Sequence, residues 1–184
     1  MWQGTALLRI SATAAAWILL FRLNSWVFGH FHWTPFVIDW IFLPAAVRLL
    51  GVMLLGRQGA MGLWVGTLIT NGPMFGGNAL ESIAVATLSA TGPLVAVYLT
   101  MRWLKVGLNL QGLTTAQLTV FAVVGALCNV IPHNVFFWLV GITSNLFIGL
   151  IPMFVGDLLG TVIVLYALRA ALLIFERFMR SPTV

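Results

Sequence analysis

Apolar residues fall in long blocks along this 184-residue chain, separated by short breaks that are polar or rich in glycine and proline. A helix needs about 20 apolar residues to cross a hydrocarbon core about 30 Å thick. On that measure the pattern predicts about six membrane spans. The first runs from about Ala6 to Phe28, the second from about Phe36 to Gly56, and the third from about Gly59 to Thr70. The fourth runs from about Ala79 to Met101, and the fifth begins near Thr114 and breaks at Ile131-Pro132. The sixth begins near Asn145, continues to about Leu168, and carries an amphipathic extension to Met179. Between Val135 and Val140 the apolar stretch is too short to span, which marks the segment near 132–144 as re-entrant or interfacial. The expected fold is an all-α polytopic transmembrane bundle. Residues 1–180 form a single integral membrane domain, and 181–184 form a tail.

Local signals agree with these boundaries. Thr34-Pro35 reads as an N-cap followed by a proline suited to a first helical turn. Asn78-Ala-Leu-Glu81 reads as a capping box opening the fourth span. The pairs Gly62/Gly66 and Gly156/Gly160 have the small-xxx-small spacing that lets helix backbones approach closely. Pro44, Pro93 and Pro152 fall inside spans, where kinks are tolerated if neighbours satisfy the freed carbonyls.

Composition strengthens the membrane reading. Hydrophobic residues make up 61% of the chain and charged residues 7%, with a mean hydropathy of +1.05. A soluble domain carries about a quarter charged residues, so lipid must face most of this exterior. The net charge of +5 does not point to nucleic acid, because the nine Lys and Arg are dispersed at the ends of apolar segments. Arg9 interrupts the short apolar stretch before Ala12-Thr13-Ala14, so the first segment reads as a retained span and not a cleaved signal. The lone Cys128 has no internal disulfide partner.

Charge asymmetry sets an orientation. With the N-terminus in the cytoplasm, Arg57, Arg102, Lys105, Arg177 and Arg180 all fall on the cytoplasmic side. The opposite loops, about 29–35, 71–78 and 132–144, carry no Lys or Arg. The positive-inside rule then places both termini in the cytoplasm, as for a multi-pass protein of a bacterial inner membrane.

Ionisable groups deep in lipid are costly and are the first candidates for function. Arg48 and Asp157 each lie about twelve residues, ~18 Å, from the outer ends of their spans. Both fall near the midplane, so they are expected to face each other, as a register-fixing salt bridge or as a ligand or proton site. Arg22 and Asp39 form a shallower pair of candidates near Asn24 and Ser25, with snorkelling of Arg22 as its plain alternative. His30, His32 and His133 lie near one face and are the weak candidate metal ligands, although interfacial histidines are more often plain polar anchors. No nucleophile elbow, zinc-protease motif or phosphate loop occurs, so no enzyme activity is expected, and the sequence names no cofactor.

Two segments carry a family resemblance. Phe42-Leu-Pro44-Ala-Ala-Val-Arg48-Leu-Leu-Gly-Val-Met-Leu-Leu-Gly56 followed by Gly62-Leu-Trp-Val-Gly66, together with Phe154-Val-Gly156-Asp157-Leu-Leu-Gly160, resemble the membrane-associated sensor (MASE-type) domains. Those domains are the membrane inputs of bacterial diguanylate cyclases and histidine kinases. The resemblance implies that Arg48, Asp157 and the surrounding glycines form a shared core. The family usually adds further spans and an output domain, which do not follow Arg180 here. The expected function is a stand-alone sensor-like module that binds a small ligand or membrane cue and acts through a partner. Its expected partners are the bilayer and another membrane protein or a second copy. The alternatives are a substrate-capture subunit of a transporter and an accessory structural subunit of a larger membrane complex.

Overall fold

The structure is a computed structural model that describes residues 2–29, 32–34, 38–72, 75–106 and 114–180. Its described elements are α1 (Trp2–Phe28), a hairpin of β1 (His32–Thr34) and β2 (Ile38–Asp39), then α2 (Ala45–Leu55), α3 (Arg57–Asn71), α4 (Ala79–Leu104), α5 (Thr115–Leu139) and α6 (Leu150–Arg180). The strands pair antiparallel, His32 opposite Asp39 and Thr34 opposite Ile38. The tail at 181–184 and His30 lie outside the described residues.

Four helices, α1, α4, α5 and α6, are long and apolar enough to cross a membrane. The expected second and third spans are replaced by shorter helices. At about 1.5 Å per residue, the 11 residues of α2 and the 15 of α3 reach only about 16 and 22 Å.

The second segment breaks because its N-terminal part is held in a non-helical path. Thr34 sits in β1 instead of capping a helix, and Pro44 stands at the N-cap of α2 instead of inside a span. The Phe42 N–H donates to the Gly156 carbonyl at 3.0 Å, and the Leu43 N–H donates to Asn24 Oδ1 at 2.8 Å. Gly156 and Gly160 lie directly against the carbonyls of Asp39 and Phe42. These glycines therefore admit an extended strand of backbone and not a neighbouring helix. Irregular backbone at membrane depth survives only where protein satisfies its polar groups, and α1 and α6 supply that here.

A second departure concerns residues 132–144, expected to be re-entrant. Instead α5 continues through Pro132 to Leu139, and turns occupy 140–149. Pro132 lacks the N–H that would bond the Cys128 carbonyl, and Gly92 of α4 packs against that carbonyl. One residue on, His133 Nδ1 bonds the Asn129 carbonyl at 2.7 Å, and Asn134 Nδ2 donates to the Val130 carbonyl at 2.9 Å. Side chains thus reinforce the helix where proline weakens it.

α1 and α3 run parallel. Arg9 donates to Gln58 near their starts and Trp17 Nε1 donates to Thr70 Oγ1 further along, while Gly62 and Gly66 seat on Ile10, Ala14 and Trp17 of α1. α2 and α3 form a tight antiparallel hairpin in which Gly59 meets the Gly51 carbonyl. α2 touches all five other helices and lies at the centre of the bundle. Trp17, Val47, Val52, Ala60, Leu63 and Ala90 form the main apolar cluster. Outside, Leu8, Trp26, Leu80, Trp103, Ile151 and Tyr166 are bare, as lipid-facing side chains are. Past Thr161, α6 leaves the bundle and its side chains are mostly exposed.

Candidate functional site

A cavity of about 460 Å³ is lined by α1, the 39–42 segment, the first turn of α2, and α3, α4, α5 and α6. Its floor is an ion pair. Arg48 Nη1 donates to both carboxylate oxygens of Asp157, at 3.1 and 2.9 Å. Asn129 Nδ2 donates to Asp157 Oδ2 at 2.7 Å. Both charged side chains are almost wholly buried, at 8% and 5% exposure. The Arg48 guanidinium also stacks over Trp17 and Phe42, 5.2 and 5.1 Å from their ring centroids. Delocalised charge over aromatic faces is a favourable way to hold a cation out of water.

The three carriers of this floor come from distant parts of the chain. Arg48 is one turn into α2, Asp157 lies in α6 between the two glycines that seat the extended segment, and Asn129 is on α5. Gly156 and Gly160 bring the 39–42 backbone against α6, so α2 starts beside Asp157. Backbone packing therefore decides that the pair meets. Below it lies a void of only about 20 Å³, lined by Arg48, Asp157, Pro93, Gly125 and Thr161. That is room for about one water, and the ion pair separates it from the main cavity.

One wall carries a histidine dyad. The Asn129 carbonyl can only accept, so His133 Nδ1 carries the proton; Nε2 then accepts from the Ser89 hydroxyl at 3.2 Å. His133 is buried at 2% exposure, with both ring nitrogens engaged. Its place is inside the bundle and not on the outer surface. The His32 backbone is in β1, and its side chain is outside the described residues. Among the described residues, no group of three or more His, Cys, Asp and Glu is placed to hold a metal ion.

Arg22 and Asp39 both line the cavity near its rim. Arg22 is exposed on α1, whereas Asp39 ends β2 and accepts from Asn24 Nδ2 at 3.2 Å. Asn24 is the connecting residue, since its Oδ1 also holds the Leu43 N–H. The helix-packing glycines divide by role: Gly62 and Gly66 join α1 to α3, and Gly156 and Gly160 accept the extended segment.

Several site residues have no sequence signal of their own. Thr67 and Asn71, one turn apart on α3, line the cavity at 1% and 4% exposure. Thr67 Oγ1, Asn71 Nδ2 and Arg48 Nε are buried without a hydrogen-bond partner. Asn129, His133 and Asn134 do leave a trace, as polar residues at helical spacing within an apolar helix. Comparison with known proteins gives no match to a family model, a curated protein or a solved structure.

Proposed function

We propose that this chain is a membrane receptor module: it takes a small molecule into the cavity over Arg48 and Asp157 and passes its occupancy to a partner protein. The observation that carries the reading is the cavity itself. Its volume of about 460 Å³ falls within the roughly 300–1,000 Å³ of small-molecule sites. It combines aromatic walls with a few buried polar groups, the usual division between affinity and orientation in such sites.

The fold offers a route for the signal. Arg48 sits on α2, and α2 touches all the other helices. A ligand that draws on Arg48 therefore bears on an element that packs against both α1 and α6, whose outer faces are bare. With the basic ends of the helices in the cytoplasm of a bacterium, the cavity opens towards the outer face. The MASE-type resemblance of residues 36–168 favours sensing.

A second reading, capture of a substrate for transport, rests on one specific feature. The 38–55 segment is interrupted beside the site, and discontinuous segments beside midplane sites recur in transporters.

Native mass spectrometry of protein extracted gently from its own membrane tests the receptor reading. The expected result is a stoichiometric small molecule that is lost in Asn71→Leu while the protein stays folded. Extraction with a defined protein partner and no small molecule would argue for a structural subunit instead.

A further inference from the structure

Access to the cavity differs between its mouth and its floor. The deep polar side chains are packed shut: Arg48, Thr67, Ser89, His133 and Asp157 are each 6% exposed or less. What a ligand can reach is the rim, where Arg22 and Ser25 of α1 are exposed and Asp39, at the end of β2, is half-buried. The Ser25 hydroxyl donates to the Phe21 carbonyl, 3.0 Å away. The two rim charges, opposite in sign and carried by different elements, are therefore the groups that can select a ligand.

Arg22 is the unmatched member. It lies about six residues, ~9 Å, inside the end of α1. Among the described residues it makes no hydrogen bond or ion pair, and a cation at that depth without a partner is costly. Asp39 does not supply one: its Oδ2 accepts from Asn24 Nδ2 at 3.2 Å, on the same helix as Arg22. An ionised carboxylate has about four lone-pair sites, so Asp39 can hold its neighbours and still accept from a ligand.

Each simpler class of ligand leaves one of these charges badly placed. A lone anion at Arg22 would meet the negative charge of Asp39, and a lone cation at Asp39 would meet Arg22. A neutral apolar molecule across the mouth would strip water from both and return nothing. A molecule that carries both signs answers both and brings no net charge to the membrane. Beneath the mouth, Phe21, Phe42 and Phe75 are half-buried against the same space, an apolar lining for the rest of the molecule.

Resting on the receptor reading above, we infer that the ligand is a zwitterion with an apolar body. Its anionic group pairs with Arg22, its ammonium with Asp39, and its apolar part enters between the phenylalanines. Such a molecule has two sources, an apolar amino acid from water or an ethanolamine lipid of the bilayer, whose phosphate and ammonium carry the same two signs. The recognition chemistry is the same for both.

Purified full-length protein in phosphatidylglycerol nanodiscs is titrated calorimetrically, against empty nanodiscs, with three probes of one skeleton: L-phenylalanine, 3-phenylpropanoate and 2-phenylethylamine. L-Phenylalanine should bind saturably, and each single-charge probe about tenfold more weakly, the worth of a lost charge-assisted hydrogen bond. The variants should then cross. Arg22→Gln should weaken L-phenylalanine about tenfold without weakening 2-phenylethylamine, and Asp39→Asn should weaken it without weakening 3-phenylpropanoate. A merely structural effect would weaken all three probes alike. Arg22 is exposed, so its substitution keeps the test open if Asp39→Asn unfolds.

A parallel titration with dihexanoylphosphatidylethanolamine separates the sources: tighter binding than L-phenylalanine points to the bilayer, and equal or weaker binding points to water. Binding of either single-charge probe as tightly as L-phenylalanine would overturn the ligand class and leave the receptor reading standing. Failure of L-phenylalanine and the short-chain lipid together would also overturn the class, while the co-extraction experiment decides the receptor reading separately.

Discussion

The carbonyl of Phe42 occupies the space into which any side chain on Gly160 would have to grow. This contact, with the Phe42 N–H bonded to Gly156, fixes where the extended segment ends and α2 begins. The position of Arg48 follows from it.

Gly160→Ala is therefore expected to destabilise the fold by about 1–3 kcal/mol, the usual cost of overpacking. Gly4→Ala is the matched control, because nothing lies within 4 Å of that position; there the helix should gain up to about 1 kcal/mol. Unfolding by titrated denaturing detergent measures both, and equal effects would remove the seat assigned to Gly160.

Breaking the ion pair from either side leaves a buried charge. Arg48→Met or Asp157→Leu alone should cost about 3–5 kcal/mol, and the double variant much less than the sum of the two. A double-mutant cycle on the same unfolding assay reads the coupling, and strict additivity would contradict the pairing.

Ser89→Ala removes the hydroxyl that satisfies His133 Nε2. A loss of about 1–3 kcal/mol is expected, the penalty for a buried polar atom left unpaired. No change in the unfolding midpoint would mean that water replaces the hydroxyl without cost.

At Gly56 the backbone alone is at stake. Its φ of 55° and ψ of −126° turn α2 into α3, and no atom lies within 4 Å of an added Cβ. Gly56→Ala should cost about 1–3 kcal/mol through conformational strain. Because ligand binding does not use this turn, affinity for a cavity ligand should fall less than stability.

Orientation can be checked chemically. In a Cys128→Ala background, Ser144→Cys in the exposed 140–149 turn should react with a membrane-impermeant maleimide on intact cells. Arg57→Cys, exposed at the opposite end, should react only after permeabilisation. The reverse pattern would invert the proposed topology.

Helix existence was legible where length and composition suffice. The four long apolar blocks appear as α1, α4, α5 and α6, because an uninterrupted apolar run has few other ways to satisfy its backbone. The break at 38–44 was not legible, since Ile38, Trp40, Ile41 and Phe42 are as apolar as any helical run. Only the glycine face of α6 and the amide of Asn24 make the extended path affordable. Pro132 misled in the other direction: its local cost argued for a break, but Gly92, His133 and Asn134 absorb it.

By itself the sequence determined the helical class and the apolar exterior. Hydropathy and the rise per residue are local quantities; they suggested a similar depth for Arg48 and Asp157 by counting helix from about Phe36 and Asn145, whereas α2 starts at Ala45 and α6 at Leu150. Depth does not say which helix faces which, and the 109 residues between the pair leave that open. Tertiary packing decided it, by seating the 39–42 backbone on two glycines of α6 and setting α2 at the centre of the bundle. The same packing gathered Thr67 and Asn71 around the cavity. Polar residues this ordinary acquire meaning only when burial removes the water that would otherwise satisfy them.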